Sequence, residues 1–159
     1  MSHVARVELE IKDLQALRAA CKQLGLTYDE KATSWKWWMT DYPNWVTEEN
    51  QTEGIPRSRY GTSDAGVITV PGARWSIGVY KDPAKPGCYV PIYDAYEHGG
   101  DLHGRGEGIE DKLGAGLQKL KQEYGITIST KVMQAKGFQV FRNLVNVKGK
   151  QQVQLRCVK

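Results

Sequence analysis

The chain is poor in the residues that most often carry catalysis. It has three histidines, three cysteines and two phenylalanines among 159 residues, and no aspartate or glutamate follows Glu123. Cys21, Cys88 and Cys157 are odd in number and far apart. That spacing excludes both the paired framework of a small secreted scaffold and the close spacing of zinc ligands. They read as reduced thiols, at least two of them packed. No apolar run approaches the ~18 residues of a membrane span, and mean hydropathy is −0.53. The opening MSHVARVELE lacks the apolar core of a secretory signal. The expectation is a soluble, cytoplasmic protein with no membrane partner.

With 40% hydrophobic residues, the composition is that of one folded domain, 1–159. Lysine and arginine number 22 against 18 aspartates and glutamates, a net charge of +4 that alone is too small to imply nucleic acid. Its distribution says more. The acid-free end carries Lys131, Lys136, Arg142, Lys148, Lys150, Arg156 and Lys159, whereas Asp94–Asp111 holds six acids against Arg105. Such asymmetry steers anionic partners.

Val7, Leu9 and Ile11 alternate with polar residues, which predicts a strand. Asp13 then caps a helix with the stripe Leu14, Leu17, Cys21 and Leu24, ended by Gly25. From Tyr28 to Tyr60 the pattern dissolves, apart from a strand expected near Ser34. Ala65–Val70, Trp75–Tyr80 and Cys88–Tyr93 read as further strands, the last at an edge or bulge because of Pro91. Ile109, Leu113, Leu117, Leu120 and Tyr124 mark a helix face, with a break expected at Gly125 and a stop at Gly137. Phe138–Val147, the turn Lys148-Gly149-Lys150 and the stripe Val153, Leu155, Cys157 predict a closing hairpin. The fold class expected is α+β. It is a mostly antiparallel twisted sheet of about five to seven strands with two or three helices on one face, and long loops at about 39–63 and 97–108.

Several of these segments together resemble the uncharacterised family named after chloroplast hypothetical reading frame thirty-five. They are Met1-Ser2-His3, Ile11-Lys12-Asp13 through Leu24-Gly25, Ile77-Gly78 with Gly87-Cys88-Tyr89, Tyr124 with Lys136-Gly137-Phe138, and the polar hairpin Lys148–Val158. The resemblance spans about two-thirds of the chain. It implies members in plastids, cyanobacteria, other bacteria and their viruses, and no activity or catalytic residue to carry over. Trp35–Tyr60 and His98–Gly108 look like additions to the family pattern.

Catalysis finds little footing. His98 and His103 with Glu97 and Asp101 sit in a glycine-rich loop without rigid ligand geometry. The run His103–Gly108 has neither the lysine and hydroxyl residue of a P-loop nor a dinucleotide fingerprint, and acids crowd the following helix start. No cofactor is implied, and His98, His103 and Arg105 read as parts of a lid. The aromatics are the strongest feature: five tryptophans and eight tyrosines are side chains with a polar edge. Trp37, Trp38 and Trp75 with Arg57, Arg59, Tyr60 and Arg74 suit a nucleobase and its phosphate, through stacking, cation–π contact and bidentate anion contact. The expectation is a non-catalytic protein holding a nucleotide-like or other anionic small molecule, such as a signalling nucleotide that it sequesters. Two alternatives stand beside it: a nucleic-acid binder using the basic C-terminal strands, and an interaction subunit, homo-oligomers included.

Overall fold

The computed structural model describes residues 4–41, 55–95 and 108–159. Strands β1 (Val4–Arg6), β2 (Thr27–Asp29), β3 (Val67–Thr69), β4 (Ser76–Lys81) and β5 (Tyr89–Asp94) form one antiparallel sheet in the order β1-β5-β4-β3-β2. Two longer strands, β6 (Gln139–Val147) and β7 (Lys150–Val158), pair among the described residues only with each other. Helices α1 (Leu14–Gln23), α3 (Ile109–Leu113) and α4 (Gln118–Ala135) join the five-stranded sheet, and Trp38–Asp41 forms one short turn of helix, α2. The α+β class is as the sequence indicates, with its seven strands divided five and two.

The pleat sorts the sheet's side chains onto two faces. Ile68, Ile77, Val79 and Tyr93 face Ala16, Leu17, Ala20 and Cys21 of α1, Ile109 and Leu113 of α3, and Leu120 and Tyr124 of α4. Val67, Tyr80, Val90 and Ile92 face the other way, under Trp35, Ile55 and Tyr60. Asp13 caps α1 by accepting the Ala16 N–H at 2.9 Å, an interaction worth about 1 kcal/mol. Tyr124 ties α4 to the same end, its hydroxyl accepting the N–H groups of Lys12 and Asp13 at 3.0 and 3.2 Å.

Three local expectations are corrected. The predicted strand Val7–Ile11 is displaced to Val4–Arg6, and Ile11 keeps only a bridge to Tyr89. Between the pairs Arg6–Ile92 and Ile11–Tyr89, residues 7–10 bulge opposite Val90 and Pro91. That bulge is why proline is tolerated in β5, an inner strand. The Pro91 carbonyl accepts the Val7 N–H at 3.0 Å, and its missing donor faces the interrupted part of the ladder. The helix break falls earlier than expected: α4 runs unbroken through Gly125, whereas Gly114 and Gly116 take φ of 77° and 59° and separate α3 from α4. Ser34 forms one bridge, to Thr62, and not a strand.

At the hairpin tip Lys148 and Gly149 have φ of 50° and 76°. Both lie in the left-handed region, the signature of a two-residue type I′ turn whose twist matches the flanking strands.

Candidate functional site

The aromatic and arginine residues singled out from the sequence divide between the two cores. Trp38 and Trp75 lie on the helix side of the sheet, buried, with ring centroids 6.1 Å apart in an edge-to-face pair. Tyr60 is buried on the opposite side, where half-buried Trp37 meets it edge to face at 5.5 Å. Arg59 belongs to this second group. Its guanidinium lies 5.4 Å over the Tyr80 ring and pairs with Asp64 at 2.6 Å. Arg57 and Arg74 are half-buried, Arg57 opening the 3₁₀ turn Arg57–Arg59 and Arg74 preceding Trp75. Trp37, Arg59 and Tyr60 are thus brought together, while Trp38 and Trp75 are not part of that group. The lid candidates His98, His103 and Arg105 lie outside the described residues.

Beside this second group, the polar edges of Trp35 and Tyr80 are satisfied from within. Trp35 Nε1 donates to the Thr62 carbonyl and to the Tyr80 hydroxyl, both at 2.9 Å. Tyr80 in turn donates to the Arg59 carbonyl at 2.7 Å. Burial pushes the Tyr80 phenol above its ordinary value, so it stays a neutral donor at physiological pH.

A different surface is open. From Gly125 to Lys159 no residue is buried, and this is also the stretch without a carboxylate. The β6–β7 register is unbroken for nine pairs, so each face of the ribbon can be read off directly. The inner face carries Val140, Arg142, Leu144, Val153, Leu155 and Cys157. At its base Arg142 grips buried Glu123 of α4 through two bonds of 2.5 and 2.9 Å. The outer face carries the opposed pairs Phe141–Arg156, Asn143–Gln154, Val145–Gln152 and Val147–Lys150. All but Val145 are exposed, Phe141 to 50%. The sequence reading had found the cations of this end but not its amides. Alternation at period two was the available signal, since Gln152, Gln154 and Arg156 fall on one face with Asn143.

Clefts open among the described residues. One, about 480 Å³, lies between α1, α4 and the hairpin and is lined by Gln15, Ala19, Thr127, Lys131, Val140 and Arg142 among others. Another, about 840 Å³, runs along β1 beside Arg6, Glu10, Asp82 and Lys85. Most of its charges are paired: Arg6 with Asp82 at 2.8 Å and Glu10 with Lys12 and Lys85 at 2.9 and 3.0 Å. Those lysines hold the Glu10 carboxyl down at about 2, chiefly through the Lys12 bond and then that of Lys85. A depressed carboxyl stabilises the fold above its ordinary pKa near 4.5, and this contribution fades as pH falls toward 2.

The cysteines are unpaired, with Cys21 and Cys88 buried and Cys157 half-exposed on the hairpin. Burial pushes Cys21 up to about 12, and burial with the Glu10 contact pushes Cys88 up as well. Because the thiolate is the reactive form, one thiol should react rapidly with an aromatic disulfide reagent at pH 8. The other two should react only after denaturation. Three fast thiols in the native protein would contradict this packing.

Among the described residues no helix is long and apolar enough to cross a membrane. No protein-family model, curated protein or solved structure matches the chain.

Proposed function

We propose that this protein binds nucleic acid and that its C-terminal hairpin is the contact surface. One observation carries the reading. The stretch from Gly125 onward has no buried residue and no carboxylate, yet it carries seven lysines and arginines on an ordered helix and ribbon. A folded protein that leaves its longest strands uncovered commonly guards them with charged side chains, lysine above all. Here the charge has one sign, which suits a polyanion. Asn, Gln, Arg and Lys are also the side chains that bond to phosphates and base edges. The aromatic segment supports this reading by default: Trp35, Trp38, Tyr60 and Trp75 are buried against their own chain.

The test is fluorescence anisotropy of labelled duplex and single-stranded oligonucleotides, titrated between 50 and 200 mM salt. Each neutralised phosphate releases counterions and contributes roughly −0.9 to the slope of log affinity against log salt. Lys131 and Arg142 are paired with Asp13 and Glu123, so engagement of the other five cations gives a slope of about −4.5. The double variant Lys150→Glu, Arg156→Glu should weaken binding at least tenfold while leaving the circular dichroism spectrum unchanged. Absence of binding at 50 mM salt, or an affinity indifferent to salt, would overturn the proposal.

A further inference from the structure

Resting on that reading, we infer that the outer face of the β6–β7 ribbon enters the major groove of B-form duplex DNA. Asn143, Gln152, Gln154 and Arg156 would then face base edges. The dimensions agree. Two strands lie ~4.8 Å apart and nine residues extend roughly 30 Å. The major groove is about 12 Å wide and admits a two-stranded ribbon. The strand length is close to one helical turn of the duplex, about 34 Å.

The order of side chains along the ribbon agrees as well. Cations stand at the tip, Lys148 and Lys150, and near the base, Lys136 and Lys159, where phosphates would meet them. Between them the outer face presents exposed amides, with Asn143 opposite Gln154 and Gln152 beside them. An amide can donate and accept together at adenine, and a guanidinium can donate twice to guanine. Arg142, the cation on the inner face, is spent on Glu123 and holds the ribbon to α4, which leaves the outer face free to approach a duplex.

Other forms of nucleic acid fit less well. Single strands are held by aromatic rings on which successive bases stack. Among the described residues of the ribbon's outer face the only ring is Phe141. Double-stranded RNA has a deep, narrow major groove that side chains cannot read.

The experiment is selection from a pool of DNA duplexes with a randomised 20-base-pair centre, followed by anisotropy on the enriched duplex. The same sequence is then measured as single-stranded DNA and as an RNA duplex. The expected result is an enriched motif, with affinity for that duplex at least tenfold above the other two forms. The double variant Asn143→Ala, Gln154→Ala should lose about 10- to 100-fold on the enriched duplex, the size of one bidentate base contact. It should keep the wild-type affinity for unselected DNA and the wild-type melting temperature, because both side chains are exposed.

Three results would overturn the inference, each in a recognisable way. Equal affinity for all three forms with no enrichment leaves nucleic-acid binding intact and removes groove reading. Failure to bind any nucleic acid removes both. A concentration-dependent dimer in sedimentation, abolished by Phe141→Ser and Val158→Ser, would assign the outer face to a second copy of the chain.

Discussion

Gly78→Ala should lower the unfolding free energy by about 3 kcal/mol, visible as a lower urea midpoint. A Cβ at this position would lie 2.5 Å from Trp35 Cδ1 and 2.6 Å from Nε1, inside any tolerable contact. Neither party can retreat. The indole is bonded to Thr62 and Tyr80, and its own backbone N–H donates to Gly61 at 2.9 Å. Gly78 sits in an inner strand, opposite Val67 on one side and Ile92 on the other. Overpacking a core of this kind costs roughly 1–3 kcal/mol, and the loss of an indole bond adds about 1 kcal/mol. Combining Gly78→Ala with Trp35→Ala should cost less than the two changes summed, since the clash disappears with the ring. Strict additivity, or a single variant within 0.5 kcal/mol of wild type, would mean that Trp35 is not seated on this glycine.

Arg142→Met should have the second-largest effect, about 2–3 kcal/mol, concentrated in the hairpin. Glu123 has a side chain only 7% exposed, and Arg142 is its bidentate partner. Methionine keeps the length of the aliphatic stem but leaves the carboxylate buried without a counterion, the costly way to break such a pair. The partner being 35% exposed, water can reach the carboxylate and moderates the loss. Amide exchange should accelerate along Val140–Leu144 well before it does along β4. Adding Glu123→Met to Arg142→Met should restore most of the stability, because a matched apolar pair replaces the ion pair. Unchanged exchange in Arg142→Met would show that the hairpin is held by something else.

What could be read from residue order was what is decided locally. The Asp13 cap and the three-and-four spacing of Leu14, Leu17 and Cys21 specify α1 without reference to the rest of the chain. The alternation at Trp75–Tyr80 and the Lys148-Gly149 turn likewise mark β4 and the closing hairpin. The three residues of β2 were illegible, since only Tyr28 among them is buried and the strand exists because β3 lies beside it. The break before α4 was assigned to Gly125, yet a lone glycine in a helix costs only about 1 kcal/mol. The pair Gly114 and Gly116, with Leu117 at φ 57°, leaves helical geometry outright and so separates α3 from α4.

The site followed the same rule. The acid-free end was visible as composition, but its exposure depended on how little of α4 covers the ribbon. Of the tryptophans singled out for their polar edge, Trp38 and Trp75 meet on the helix side of the sheet and Trp37 lies on the other, a division set by pairing between segments distant in sequence that only the fold supplies.

The strand order has a consequence for synthesis of the chain. β1 is made well before β5, which among the described residues is its one partner in the sheet, with Val4 opposite Asp94. Strands β3, β4 and β5 are consecutive and can pair as they leave the ribosome, whereas β1 must wait for the last of them. At ~5–20 residues per second the wait is on the order of 5–20 s. Throughout it β1 lacks the strand it pairs with. This is an interval in which a chaperone that binds extended apolar segments has access to Val4, Val7 and Ile11, which are buried once folding is complete.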